Sequence, residues 1–169
     1  MRWRALLVAV VMIVAGLPGL GRAGLRDKIL EQIGTSRSSI DVLVYEIDNE
    51  EIADALVEAA RRGVHVRIIT DAIRSDSPAA KDRVLEDAGI PLKRIKDWRK
   101  DLLHDKFVIF DHQVAATSSY NFPALNPDSE EADPLIHDKP SLEKFQSEFD
   151  QIWDAAAHSE TAASPYPMN

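Results

Sequence analysis

The stretch His104-Asp105-Lys106-Phe107-Val108-Ile109-Phe110-Asp111 sets an imidazole and an ammonium two positions apart at the head of an apolar run. Phe107 and Ile109 alternate with Val108 and Phe110, which is the period of a strand. Successive strand side chains face opposite ways, so His104 and Lys106 share a face. An imidazole that can attack or shuttle protons beside a fixed cation suits a phosphate, with the imidazole as nucleophile and the ammonium as point charge. A basic stretch precedes this run: Lys93, Arg94, Lys96, Arg99 and Lys100, with Trp98 among them. It can track a phosphate backbone with Trp98 stacked on a base, or it can be a solvated edge with Trp98 in the core. His65, His112, His137 and His158 have no recurring partner and read as solvated or core histidines. Asp71 falls near the expected crevice at the carboxyl ends of the strands; it can approach the site, but a helix cap is the better reading.

The chain of 169 residues is one domain by length and long enough to bury a core. It has no cysteine, which excludes disulfides and thiolate zinc sites. A net charge of −8 argues against non-specific coating of nucleic acid, though a local basic groove remains compatible with it. Residues 1–23 read as a signal peptide or membrane anchor. Arg2 and Arg4 are followed by the apolar run Ala5 to Leu17, then Pro18-Gly19, and Gly21-Arg22-Ala23 has the small residues of a cleavage site. Cleavage implies export to the periplasm or medium; without it, residues 5–17 are a membrane tether. The bland alternative makes Leu6 to Val14 a buried strand. Residues 24–157 form the folded domain, and the polar tail 158–169 reads as disordered.

These residues require a scaffold of alternating elements. Leu25, Ile29, Leu30 and Ile33 predict a helix with Gly34 as C-cap. Ile40 to Tyr45 is a strand rich in β-branched residues. Asp48 and Glu51 suggest a capping box for a helix bearing Ile52, Leu56, Ala59 and Ala60, ended by Gly63. Val64, Val66 and Ile68 alternate in the next strand, closing at Thr70-Asp71. Strand, helix, strand with short joints is a βαβ unit, so the fold class is α/β, with a mixed, largely parallel sheet flanked by helices on both faces. Ser77-Pro78 predicts the start of a helix that runs past Val84 and Leu85 to Gly89. Ile90-Pro91-Leu92 begins a short edge strand. After the motif strand, Asp111-His112-Gln113 turns into a hairpin partner, Val114 to Thr117. Ser118 to Asp138 is loop-like. Ser141 is the expected cap of a last helix carrying Leu142, Phe145, Phe149, Ile152 and Trp153 at core spacing.

The pattern His104-x-Lys106-x4-Asp111, followed by Thr117-Ser118-Ser119-Tyr120-Asn121-Phe122, resembles the phospholipase D superfamily. Val44-Tyr45, Ala55-Leu56, Arg62-Gly63-Val64 and Val66-Arg67 resemble the segment that precedes the motif in that family. The likeness spans most of residues 25–155. With a single motif, the chain is most similar to bacterial Nuc-type endonucleases. The mitochondrial cardiolipin hydrolase branch is the other single-motif relative, and its cysteine-rich zinc insert is impossible here. Ser118 stands where the family usually has Gly.

The resemblance implies roles. His104 would form a phosphohistidine, Lys106 and Asn121 would bind phosphate oxygens, and Ser119 would support them. Asp111 would be structural or lie behind the site. Glu130, with Glu131 beside it, would orient His104 and select its tautomer. Lys96, Arg99 and Lys100 would contact substrate. A leaving oxygen also needs a general acid. The family takes it from a second motif, so this chain would take it from His104 of a second copy, as a homodimer with the site at its twofold axis. No metal or cofactor is required, because Lys106 and Asn121 supply the stabilising charge and dipole. The expected activity is a metal-independent, non-specific endonuclease acting on DNA or RNA. A phospholipase D-type lipid phosphodiesterase is the alternative, and a binding protein without turnover the third reading.

Overall fold

A computed structural model describes residues 24–73, 77–95, 106–118 and 135–159 of the protein. Among them are four helices and six strands: α1 (Leu25–Thr35), β1 (Ser39–Leu43), α2 (Glu50–Arg61), β2 (His65–Asp71), α3 (Asp82–Asp87), β3 (Leu92–Ile95), β4 (Lys106–Phe110), β5 (Val114–Ser118), β6 (Leu135–Ile136) and α4 (Lys139–Ser159). The strands form one sheet in the order β3-β2-β1-β4-β5-β6. The expected α/β class and mixed sheet are present, with two parallel and three antiparallel pairings where a largely parallel sheet was expected. β1, β2 and β3 run parallel, joined by helical crossovers. From β4 onward the pairings are antiparallel, and a tight hairpin joins β4 to β5.

Side-chain alternation divides the core into two layers. Ile40, Val42, Val66, Ile68, Val108 and Phe110 face α1, α2 and α3, meeting Ile29, Ile33, Ile52, Leu56 and Leu85. Leu43, Ile69, Phe107, Ile109 and Ala115 face α4, meeting Leu142, Phe149 and Ile152. Helices therefore cover both faces, and the predicted apolar spacing of α1, α2 and α4 is the spacing that is buried.

Helix ends differ from the sequence reading by small shifts with local causes. α1 ends at Ser36, not Gly34. The Thr35 and Ser36 hydroxyls donate to the Glu31 and Gln32 carbonyls at 2.9 and 2.7 Å, satisfying acceptors that a glycine cap would otherwise address. Asn49, not Asp48, caps α2, its Oδ1 accepting the Ile52 N–H at 3.1 Å. Asp48 is instead pushed up in pKa by burial and by the neighbouring charge of Glu46. α3 starts at Asp82. Ser77-Pro78 belongs to a turn closed by the Ala80 N–H on the Ser77 carbonyl, and the Lys81 N–H goes to the Ile47 carbonyl at 2.8 Å, so no helical bond reaches back to Ser77. At α4 the cap is Asp138 in place of Ser141, with Oδ1 accepting the Ser141 N–H at 3.0 Å. Gly63 and Gly89 do end their helices, at φ of 91° and 79°. In each case the glycine and the residue after it return N–H bonds to the last turn, which is the Schellman arrangement.

β3 is an edge strand as expected, and the Pro91 carbonyl accepts the Ile68 N–H at 3.0 Å. β6 was not expected: two residues inside a segment read as loop pair with Ala115 and Ala116 of β5. Two residues carry no period to detect. Among the described residues no helix is long and apolar enough to cross a membrane. The expectations for residues 1–23 and for the tail beyond Ser159 lie outside the described residues.

The layer under α4 has a charged centre. Arg67 on β2 makes two 2.7 Å hydrogen bonds to Asp41 on β1 and a 2.9 Å bond to Asp150 on α4. Its guanidinium carbon also lies 4.8 Å from the Phe149 ring centroid and 5.4 Å from that of Trp153. The hydrogen bonds that Arg67 donates to Asp41 raise its pKa further, against the opposing effect of burial. Asp41 is buried, so removing either partner strands a charge. Asp41→Ala should destabilise the fold by about 3 kcal/mol, and adding Arg67→Met should recover part of that loss. Urea denaturation of the two variants measures both; a double variant no more stable than Asp41→Ala would contradict the pairing.

Candidate active site

Because β4 runs against β1, its first residue lies at the carboxyl end of the parallel half of the sheet. Leu43 pairs with Phe107, and Lys106 pairs with Ser118 at the end of β5. The sheet changes from parallel to antiparallel at this seam, beside the strand ends where open α/β sheets place their ligands. Lys106 follows the parity of Val108 and Phe110. Its four-carbon stem carries Nζ to the ring of Tyr45, 4.4 Å from the centroid, just past the end of β1. Burial lowers the Lys106 pKa, and no carboxylate among the described residues pairs with it. Tyr45 is held in turn by its carbonyl, which accepts the Asp71 N–H at 3.1 Å. Its side chain is half-buried against the α4-side core.

Asp111 sits at the other end of β4, five strand positions and roughly 17 Å from Lys106. Its carboxylate accepts the backbone N–H groups of Arg37, Ser38 and Ser39 at 2.7–3.1 Å and the Ser38 hydroxyl at 2.9 Å. Burial works against its ionisation, but the bonds from Ser39, Ser38 and Arg37 outweigh it and hold the carboxyl below the usual range. Asp111 and His112 take positive φ values of 51° and 56°, and the Gln113 N–H closes the turn on the Phe110 carbonyl at 2.9 Å. Thus Asp111 ties the β4–β5 turn to the start of β1 and does not approach Lys106.

Of the other expected site residues, His104, Ser119, Asn121, Glu130, Glu131, Lys96, Arg99 and Lys100, as well as Trp98, lie outside the described residues. Two cations of the basic stretch are described. Lys93 donates to the Trp153 carbonyl at 2.7 Å and lies 4.3 Å from the Trp153 ring centroid. Arg94 forks onto Glu86 at 2.6 and 2.9 Å. Both side chains therefore tie β3 to its flanking helices. Asp71 caps no helix among the described residues; its Oδ1 accepts the Ile73 N–H at 2.9 Å in an Asx turn that follows β2. His112 Nδ1 meets Gln146 Oε1 at 2.7 Å, and Gln146 also donates to Asp41 at 2.9 Å, so this histidine joins the Arg67 network. Tyr45 was overlooked as a site residue; its signal was an aromatic at the carboxyl end of a buried strand. Among the described residues, no three His, Asp or Glu side chains are grouped as metal ligands.

A family model described as "Cardiolipin synthase, PLD-like domain" matches residues 29–153. The chain therefore belongs to the PLD-like domain family. Among individual proteins, it is similar to the mitochondrial cardiolipin hydrolase of Chlamydomonas reinhardtii, 28% identical over 130 residues covering 76% of this chain and 57% of that relative. The Xenopus laevis mitochondrial cardiolipin hydrolase is 29% identical over 129 residues, covering 76% of this chain and 60% of that one. The chain thus spans less than two thirds of these relatives' length. Among solved structures, Nuc from Salmonella typhimurium, a phospholipase D family member, superposes with a TM-score of 0.62 at 25% identity, covering 76% of this chain and 86% of Nuc. NucT from Helicobacter pylori shares the fold, with a TM-score of 0.66.

The position of Asp111 sets a test of its part in folding. Its folded pKa is depressed, so its stabilisation is present above the ordinary carboxylate value and is lost as pH falls through the lower folded value. Asp111→Asn keeps a residue that tolerates positive φ but removes the charge. At pH 7 it should cost about 1–3 kcal/mol, and the gap to wild type should close below about pH 4. Urea titrations across pH measure it. A gap that widens on acidification would refute the clamp.

Proposed function

We propose that the protein is a phosphodiesterase working through a phosphohistidine at a site shared by two copies of the chain. The observation that carries this reading is Lys106: a half-buried ammonium with no carboxylate partner among the described residues, at the seam where the sheet reverses. His104 precedes it by two residues and Ser119 follows Ser118, its partner across the hairpin. The His104 imidazole attacks phosphorus while the bond to the leaving oxygen breaks, and the partner's His104 donates the proton that oxygen needs. Water then attacks the phosphohistidine, giving its proton to the partner's His104. The P–N bond breaks and a phosphate monoester is released. Lys106 and Asn121 hold the phosphoryl oxygens as charge develops. Glu130 accepts the remaining N–H of His104.

Nucleic acid is the substrate class we favour. The resemblance to Nuc-type endonucleases and the match over 86% of Nuc support it. The basic stretch supports it less, because Lys93 and Arg94 are engaged within the fold. A lipid phosphodiester is the second reading, favoured by relatives named mitochondrial cardiolipin hydrolase and by the apolar N-terminal segment.

Plasmid DNA and cardiolipin liposomes, each incubated with the full chain in EDTA, separate these readings. Nicking of DNA in EDTA, abolished in His104→Ala and reduced about 10²–10³-fold in Lys106→Gln, is the expected result. Release of phosphatidate from liposomes with DNA left intact would transfer the assignment to the lipid. Dependence of cleavage on a divalent metal would overturn the histidine mechanism. The shared site is tested by mixing wild type with His104→Ala under subunit exchange. Activity should fall as the square of the wild-type fraction, whereas a linear fall would show that each copy acts alone.

A further inference from the structure

We infer that Tyr45 is a positioning residue for Lys106: its ring face holds the ammonium at the carboxyl end of the sheet, and no carboxylate among the described residues occupies its N–H groups, so that they can meet a phosphate oxygen. This rests on the reading of Lys106 given above. Of the other half-buried cations described, Arg67 is held by Asp41 and Arg94 by Glu86, while Lys93 donates to the Trp153 carbonyl. A carboxylate partner neutralises the charge and occupies the donors. Lys106 has the Tyr45 ring 4.4 Å from Nζ, as Lys93 has the Trp153 ring, but unlike Lys93 it gives no hydrogen bond to a carbonyl among the described residues. A ring attracts a cation through its quadrupole but carries no net charge. It restrains the flexible lysine stem without competing with an incoming anion. It also favours the protonated form, opposing the effect of burial on the Lys106 pKa. The ring can serve as a fixed surface because the Tyr45 backbone is bonded to Asp71 and its side chain packs in the core under α4.

The phenol oxygen has no part in this role, so ring electronics should decide the outcome. Inorganic phosphate binding to the full chain, measured by calorimetry, is the readout. Tyr45→Phe should bind within about twofold of wild type, and Tyr45→Leu should bind about 3- to 30-fold more weakly. Because Tyr45→Leu could perturb packing, phenylalanines bearing one, two and three fluorines are to be placed at position 45. These preserve shape while withdrawing charge from the ring face, and phosphate affinity should fall stepwise at constant melting temperature. With a phosphodiester substrate, KM should rise along the same series, and the alkaline limb of the pH profile should move to lower pH. Affinity and pH limb both indifferent to fluorination would overturn the role of Tyr45. A wild-type chain that binds no phosphate, or a Lys106→Gln variant that binds it equally well, would instead overturn the anion site itself.

Discussion

Four residue pairs, Ile40–Phe110 through Leu43–Phe107, join β1 to β4 in antiparallel register, and the position of the candidate site follows from that seam. A slip of one residue would carry Phe107 and Ile109 to the opposite face and break both core layers at once. The register is held at one end by the Asp111 carboxylate, which gathers three backbone N–H groups from the turn before β1. At the other end the same strand delivers Lys106 to the carboxyl ends of the parallel strands. One strand thus has one terminus that ties the fold and one that lies at the candidate site, with fully buried side chains between them. The motif's lysine and aspartate are related through the strand rather than through contact.

The α4 layer constrains the seam from the other side. Arg67 is a charged side chain where an apolar one would pack, and such a pair contributes little net stability once desolvation is counted. It does specify geometry. Asp41, Arg67 and Asp150 come from β1, β2 and α4, and their hydrogen bonds are satisfied together only when α4 lies across the sheet at one rotation. Gln146 extends the same network to His112 in the β4–β5 turn. The turn beyond Phe110 is therefore fastened on both faces, by Asp111 to the α1–β1 connection and by His112 to α4.

Much of this was legible in the sequence where burial imposes a period. Leu25, Ile29 and Ile33, the Val64–Ile68 alternation and the Leu142–Trp153 spacing each report one buried face. Caps were less legible, because Asp48 and Asn49, or Asp138 and Ser141, offer similar oxygens within a few residues and only the chain's path selects between them. β6 was illegible at two residues. No local spacing around Arg67 records its ion-pair network, because its partial burial depends on a helix eighty residues later. Within the site, Lys106 was found through its motif, but Tyr45 was not. Its contact joins residues sixty positions apart at the ends of two strands, and no local spacing records that. The five-residue gap from Lys106 to Asp111 did contain its own answer, since that many strand residues span roughly 17 Å.

The chain's charge gives Lys106 a particular meaning. With a net charge of −8, the protein as a whole repels polyanions, and long-range attraction cannot supply their binding. Beyond about 10 Å such fields are screened in any case. Recognition must then be local, by cations that have not been neutralised. Arg67, Lys93 and Arg94 do not qualify, because their donors are engaged in the fold. Lys106 does qualify, since its neighbour among the described residues is a ring and not a carboxylate. A half-buried ammonium faces less competition from water and salt than an exposed one, so its interaction with a phosphate at contact distance is stronger. On the proposed function, the net negative charge and a lysine without a carboxylate partner among the described residues are consistent: the first disfavours loose coating of a polyanion, and the second would reserve attraction for a phosphate that has reached the seam.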